Sequence, residues 1–307
     1  MSINRIVSFL PSATELLYEF GVQDRLYGVT HECNYPENAK TKPRVINSVI
    51  NSDELSSKEI DVKASQVLKE GRNIFELNIQ NILNANPDLI ISQETCEVCA
   101  ANTNQVNKAV QSLQKKPIHF SMNPHNLKEI LETVDKIGKI LEKENEADII
   151  VNSLKNRIKN VESNAITTNL KVLAIEWIEP FFTAGHWIPE IIEKAGGRNL
   201  ISSIGERSKR LNIQDISDSD PDIIILMPCG FDIERTSFEY NKILKDDKTW
   251  CSLKAVKNKN IFAVDSNSYF SKPSIRTITG LEIIAKIINP EQFSSLNVPE
   301  NSFLQIE

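Results

Sequence analysis

Short apolar runs alternate with amphipathic helical stretches along the chain, and this alternation is typical of parallel sheets covered by helices. In the first half the predicted strands are Arg5–Leu10, Leu26–Thr30, Asp88–Ser92 and Ile118–Phe120. The predicted strands of the second half are Lys171–Ile175, Asp222–Met227 and Asn260–Val264. The helices predicted between and after these strands are Ser12–Phe20, Ile79–Asn84, Ile188–Ala195 and Ile278–Ile288. The pattern therefore predicts an α/β protein with parallel sheets.

The first predicted helix has recognisable end signals. Ser12 has the side chain of an N-cap, and Glu15 three residues later completes a capping box. Gly21 follows the last apolar position and is expected to end the helix.

A continuous helical stripe lies in the middle of the chain. Apolar residues recur at intervals of three and four over Asn126–Ser163, which predicts one long helix or two nearly continuous ones. A chain of 307 residues suits two lobes of about 120–150 residues each. We therefore expect an N-terminal α/β lobe at 1–123, an inter-lobe helix at 124–163 and a C-terminal α/β lobe at 164–307.

Composition excludes several classes of protein. A net charge of −6 and a pI of about 5.5 do not fit a binder of nucleic acid, which needs a basic face. No apolar run reaches the ~20 residues of a membrane span, and the first residues lack the features of a signal peptide. We expect a cytoplasmic protein; the alternative is that a leader was trimmed and replaced with a Met. No Gly-x-Ser-x-Gly or Gly-rich phosphate loop occurs, so enzymatic activity is left open and is not favoured.

Polar residues cluster directly after predicted strands, where α/β sheets bind their ligands. His31 and Glu32 follow the second strand, Glu176 and Trp177 follow the first strand of the second half, and Phe231 follows the next. Two lobes facing each other would bring such clusters to one cleft.

The five cysteines offer candidate thiolate ligands. Cys96 and Cys99 have the spacing of metal sites and of redox pairs, and Cys33, Cys229 and an imidazole would complete a soft-metal site. The alternative is that Cys33, Cys229 and Cys251 are small buried residues.

His186 precedes a predicted helix whose first turn contains Pro189. The positive end of that helix disfavours a protonated imidazole and suits a neutral ligand nitrogen. Trp177 and Trp187, with Phe181 and Phe182, would form an apolar wall for a planar ligand. The alternatives are a histidine that only caps the helix and aromatic residues that pack in the core.

Several motifs resemble one family. The opening Ile6–Leu16 (IVSFLPSATEL) resembles that of class III, helical-backbone substrate-binding proteins, which capture cobalamin, haem and ferric siderophores. Five further motifs are similar to a leaderless, cobalamin-binding-like branch of that class. They begin at His31 (HECNYP), Cys96 (CEVCA), Gly185 (GHWIPE), Pro228 (PCGFD) and Lys272 (KPSIR). The last motif ends at Arg276, which is a further candidate ligand-binding residue. The resemblance implies two lobes joined by a rigid helix, with the ligand held between them.

Three functions follow from these observations. The first is intracellular binding of a cobalamin, another corrinoid or a similar metal complex, with His186 or a cysteine thiolate near the metal. The second is a thiolate and histidine site for zinc or an iron–sulfur cluster, with or without enzymatic activity. The third is an ABC-transporter receptor for cobalamin or an iron siderophore. Because no export signal is recognised, a permease partner is not expected.

Overall fold

Two β-sheets, one in each of two units, organise the computed structural model, which describes residues 2–93 and 103–306. The first unit comprises Met1–Leu55, Val62–Pro124 and Glu129–Asn152. The second comprises Ser56–Asp61, His125–Lys128 and Ser153–Glu307.

The first sheet has six strands in the order β4-β3-β2-β1-β5-β6. These are β1 (Ile6–Ser8), β2 (Leu26–Thr30), β3 (Arg44–Ser48), β4 (Phe75–Leu77), β5 (Leu89–Gln93) and β6 (Ile118–Met122). All neighbours are parallel except β3 and β4, so a parallel core carries one antiparallel edge strand.

Six of the described α-helices lie wholly or partly in the first unit. They are α1 (Pro11–Glu19), α2 (Ser57–Lys69), α3 (Ile79–Ala85), α4 (Thr103–Gln111), α5 (Leu127–Leu141) and α6 (Glu144–Asn164). The boundaries between the units fall inside α2, α5 and α6. The middle of the chain therefore forms two helices, separated by Glu142 and Lys143. Glu142 has a φ of 56°, a left-handed conformation that interrupts a right-handed helix.

The second sheet is also mixed. Its path is β10-β8-β7-β11-β12-β13, and β9 pairs with β7. The strands are β7 (Lys171–Trp177), β8 (Phe181–Thr183), β9 (Arg198–Asn199), β10 (Lys209–Leu211), β11 (Ile223–Leu226), β12 (Ile261–Val264) and β13 (Phe303–Gln305). Strands β7, β11 and β12 are parallel, whereas β8, β10 and β13 pair antiparallel.

Further helices pack in this second unit. They are α7 (Ile188–Lys194), α8 (Ile213–Ser219), α9 (Ile233–Ile243), α10 (Lys248–Ser252), α11 (Lys254–Lys257), α12 (Ser266–Tyr269) and α13 (Thr277–Ile288). Among the helices of the described residues, none is long and apolar enough to cross a membrane.

Each unit has its own apolar core. Val7, Val45 and Ile90 project from the first sheet and are fully buried against helical residues such as Ile82. The core of the second unit contains Leu173, Ile224 and Ile261 from the sheet together with the fully buried Trp250. The continuous apolar strands suit sheets covered on both faces.

The predicted N-terminus of α1 is wrong. Leu10 is the N-cap and Pro11 occupies the first turn, so the predicted capping box of Ser12 does not form. The Ser12 hydroxyl is buried without a hydrogen-bond partner in the described part of the chain. Proline has no N–H to satisfy and its fixed φ suits a helix start, which explains why a side-chain cap is dispensable. The predicted stop at Gly21 is confirmed, since Gly21 has a φ of 66° just after the helix.

Candidate functional site

The carboxyl ends of β7 and β11 bring three predicted site residues together in the second unit. The two strands are parallel neighbours, with Ile175 opposite Leu226. Glu176 and Trp177 end β7, and the backbone N–H of Cys229 donates to the carbonyl of Glu176 at 3.0 Å. The sequence clusters after these two strands therefore meet, as predicted from the rule that parallel strands share a carboxyl edge.

Aromatic rings and a guanidinium stack at this edge. The half-buried Trp177 lies 5.5 Å from Phe231, measured between ring centroids, and the rings are tilted by 59°. The guanidinium of Arg235 lies 3.8 Å from the centroid of Phe231. Phe231 itself is 2% exposed, so it supports Trp177 and Arg235 and offers almost no surface of its own. The half-buried indole of Trp177 is the aromatic surface of this edge.

Arg276 supplies a second guanidinium. It lies in the segment after β12, and that segment is hydrogen-bonded to the loop after β11. Arg276 lies 4.8 Å from the centroid of Tyr269 and is half-buried. The segment is tied to the β11 loop because Gly230 N–H donates to the Ser271 hydroxyl at 2.9 Å. The backbone N–H of Asn267 also donates to the carbonyl of Phe231 at 3.0 Å.

His186 has a backbone conformation that the neighbouring segment fixes. Its φ is 56°, its N–H donates to Glu206 O at 2.6 Å, and its carbonyl accepts from Gly205 N–H at 2.9 Å. Gly185 is needed here because a Cβ would lie 2.5 Å from Glu206 O and 2.7 Å from Ser208 N. The Ser208 hydroxyl in turn donates to the Glu176 carboxylate. A chain of direct contacts therefore connects the His186 turn to the end of β7.

The imidazole of His186 is kept neutral by its surroundings. Burial, the neighbouring His125 and the cationic Arg207 lower its pKa from the usual 6.5. The rings of His125 and His186 are stacked, with centroids 6.0 Å apart. The lowered pKa has the direction expected for a neutral ligand nitrogen, and burial is its main cause. Nδ1 of His186 is buried and has no hydrogen-bond partner among the residues that the structure describes.

Two of the predicted aromatic wall residues pack into the interior. Trp187 is 5% exposed and is the N-cap residue of α7, with its ring 5.7 Å from that of His186. Phe181 stacks on the buried Trp250 at 5.8 Å with an interplanar angle of 9°. Both therefore follow the core-packing alternative. Pro189 lies in the first turn of α7, as predicted.

The predicted residues of the first unit follow β2. His31 is half-buried, its Nε2 lies 3.9 Å from a carboxylate oxygen of Glu32, and its ring lies 5.9 Å from that of Phe75. Cys33 is fully buried, and its Sγ lies 3.1 Å from the Thr14 hydroxyl. Its surroundings are those of a buried structural thiol.

The thiolate metal site stays a prediction. Cys96 and Cys99 lie outside the described residues, and within 2–93 and 103–306 no group of three or more His, Cys, Asp or Glu side chains could hold a metal ion. Cys229 is half-buried. The interpretation of Cys251 as a buried residue is wrong, because it is exposed and its thiol donates to Lys245 O at 3.2 Å.

Four residues at or near this edge were not found from the sequence: Ser57, His125, Arg235 and Glu239. Ser57 and Glu239 meet across 182 positions of sequence, so no local pattern could have paired them. Arg235 lies only four residues after Phe231, but Phe231 precedes α9, so no helix-face spacing paired them in the sequence.

Comparisons with known proteins agree with this architecture. A family model described as periplasmic binding protein matches residues 6–268. An uncharacterised ABC transporter substrate-binding lipoprotein of Bacillus subtilis (strain 168) is 22% identical over 300 residues, which span 94% of this chain and 81% of the relative.

Two solved structures share the fold. The periplasmic vitamin B12-binding protein of Vibrio cholerae has a TM-score of 0.68 and 19% identity, covering 94% of this chain and 98% of that chain. A periplasmic heme-binding protein from Pseudomonas aeruginosa has a TM-score of 0.71 and 15% identity, covering 94% of both chains. The family match extends over most of the sequence and over every strand given above except β13, and the chain belongs to the periplasmic binding protein family.

Proposed function

We propose that the chain is the substrate-binding protein of an ABC transporter and that its ligand is a corrinoid or another metal-centred macrocycle such as haem. Membership of the periplasmic binding protein family supports the first part. The ligands named for the similar Vibrio and Pseudomonas proteins support the second. These relatives favour the receptor alternative over a purely intracellular corrinoid binder. A permease is therefore an expected partner, contrary to the expectation from the sequence.

The observation that carries the ligand class is the half-buried indole of Trp177 at the sheet edge, with Arg235 on the neighbouring Phe231 ring and Arg276 on the Tyr269 ring of the adjoining segment. A corrin or porphyrin has a flat, largely apolar face and a rim of amide or carboxylate groups. An indole supplies apolar stacking area, and guanidinium groups donate to rim oxygens in a fixed planar geometry. Arg235 and Arg276 each lie over an aromatic ring, which limits their rotamers before a ligand arrives.

His186 is the candidate donor to the ligand's metal centre. A metal takes the neutral form of an imidazole, and the lowered pKa of His186 maintains that form below neutral pH. The contacts through Ser208 and Glu176 hold its turn against the strand that ends at Trp177. Zinc and iron–sulfur binding have no comparable support in the described residues.

The test is a difference-absorption titration with dicyanocobinamide, haemin and a ferric hydroxamate, preceded by the visible spectrum and metal content of protein purified without oxygen. The proposal predicts one equivalent of a macrocyclic complex bound per chain and a shift of its visible bands. Binding of the ferric hydroxamate alone would keep the receptor function and reject the macrocycle. A colourless protein with stoichiometric zinc would contradict the proposal.

A further inference from the structure

Ser57 is held by a carboxylate from a distant part of the chain. The backbone N–H and the hydroxyl of Ser57 both donate to Oε1 of Glu239, at 2.6 and 2.5 Å. Ser57 is fully buried and Glu239 is 2% exposed. A buried carboxylate is costly unless several donors satisfy it, so this contact is a strong and specific one.

The start of α2 does not need Glu239 as a cap. Ser56 and Glu59 already form a reciprocal cap, because Ser56 N–H donates to Glu59 Oε2 at 2.8 Å and Glu59 N–H donates to the Ser56 hydroxyl at 3.3 Å. Helices α8, α9 and α10 are likewise capped by a residue three positions before the donor. The contact with Glu239 is therefore additional to normal capping.

Ser57, held in this way, is itself hydrogen-bonded to Trp177. The indole Nε1–H of Trp177 donates to the carbonyl of Ser57 at 3.2 Å. Lys58 adds an ion pair to Glu179, two residues after Trp177, at 2.8 Å. That pair is exposed and contributes little, so the buried Ser57 carries most of the restraint.

Two contacts together define the orientation of the indole. Packing against Phe231 restrains the tilt of the ring but does not by itself select one χ1/χ2 rotamer of Trp177. The Nε1–H bond to Ser57 selects the rotamer, because only one rotamer points the donor at the carbonyl. An aromatic residue fixed before binding loses less conformational entropy when a ligand arrives.

We propose that Glu239 is a positioning residue for ligand binding: through Ser57 it fixes the indole of Trp177 in the orientation that receives the flat face of the ligand. The effect on affinity rests on the proposed function. The orientation of Trp177 does not, and it can be measured without ligand.

The test uses the full chain labelled with 5-fluorotryptophan, whose three tryptophans give three ¹⁹F resonances. Trp177→Phe assigns the resonance of Trp177. Glu239→Ala removes both bonds to residue 57, Ser57→Ala removes the hydroxyl bond and keeps the backbone one, and Glu239→Gln keeps an acceptor oxygen. Glu282→Gln is the matched control, since Glu282 is another buried carboxylate of the second unit and is paired with Arg157.

Glu239→Ala is expected to shift or broaden the Trp177 resonance alone and to weaken dicyanocobinamide binding about tenfold. Glu239→Gln should recover most of the affinity, and Glu282→Gln should leave the Trp177 resonance in place. The proposal is overturned if Glu239→Ala leaves that resonance unmoved, or if all three resonances move together.

Two further results remain decisive. If Glu239→Ala does not fold, Ser57→Ala must shift the Trp177 resonance in a folded protein, and an unmoved resonance overturns the proposal. If the wild type binds no macrocycle, the proposed function fails. The ligand-free resonance of Trp177 in the variants then decides the positioning role by itself.

Discussion

Asp88 and Asp222 occupy the same place in the two units. Each follows a proline and precedes a buried strand, and each carboxylate accepts a backbone N–H from the start of the neighbouring strand, Arg5 at 3.2 Å and Lys171 at 2.8 Å. Each also pairs with a lysine, Asp88 with Lys115 at 3.0 Å and Asp222 with Lys254 at 2.6 Å.

The match extends through the preceding helix. Asn78 caps α3 and Asn212 caps α8, each accepting the N–H three residues later. Both helices have seven residues and end at a left-handed residue, Asn86 with a φ of 40° and Asp220 with a φ of 45°. The two units therefore contain one repeated module, of which the sequence shows the last part, Asn86–Ile91 and Asp220–Ile225.

Asp222→Asn is expected to destabilise the second unit by about 1–2 kcal/mol at neutral pH, because it weakens hydrogen bonds to a charged acceptor. Burial alone would raise the pKa of Asp222, but the bonds from Lys254 and from the Lys171 N–H outweigh it and lower the pKa below 3.8. The stabilisation is therefore present above pH 3.8 and is lost as the pH falls through the folded pKa. Urea unfolding followed by tryptophan fluorescence measures the loss.

Asp88→Asn is the matched control, since all three tryptophans lie in the second unit. It should lower the unfolding midpoint detected by far-UV circular dichroism more than the midpoint detected by fluorescence. Equal fluorescence shifts for both variants would contradict a local role of each carboxylate.

Arg207→Gln should raise the pKa of His186 toward 6.5. The lowered pKa arises first from burial, then from His125 and Arg207, so removing the exposed cation relieves only the last cause. Since the folded pKa lies below the unfolded one, His186 favours the folded state above pH 6.5, and this contribution is lost as the pH falls through the folded pKa. Titration of the His186 ring by NMR tests this, with Arg210→Gln as the control. A pKa that does not change in Arg207→Gln would contradict the assigned cause.

Gly185→Ala is expected to displace the His186 turn and to cost about 1–3 kcal/mol, because the new Cβ would meet backbone atoms that cannot move alone. Gly230→Ala is the comparison. Gly230 has a φ of 79°, and no atom lies within 4 Å of the position that a Cβ would take, so only backbone strain of about 1 kcal/mol is expected. Chemical denaturation of both variants measures the difference. Equal losses would show that crowding at Gly185 is relieved by a small shift.

Trp177→Ala should weaken binding of a macrocyclic ligand by about tenfold or more, because it removes the half-buried indole of this edge. Trp177→Phe keeps an aromatic face and should lose less. A tryptophan-independent readout, the visible band of the ligand, measures both. Unchanged affinity in Trp177→Ala would place the ligand elsewhere.

Sequence patterns predicted the central strands and most long helices, because strands buried on both faces are continuously apolar and amphipathic helices have a clear period. They missed short edge strands such as β4 and β10, whose three residues carry too little pattern. The prediction that Ser12 caps α1 was wrong because Pro11 in the first turn makes a side-chain cap unnecessary. The clustering of Glu176, Trp177 and Phe231 followed from strand order, whereas the pairing of Ser57 with Glu239 depends on tertiary packing alone.

Equilibrium dialysis of the wild type against cyanocobalamin, dicyanocobinamide and haemin measures whether the protein binds a metal-centred macrocycle. We expect at least one of them to bind with a stoichiometry of one per chain. No uptake of any of the three at high micromolar concentration would contradict the proposal that this member of the periplasmic binding protein family carries a metal-centred macrocycle.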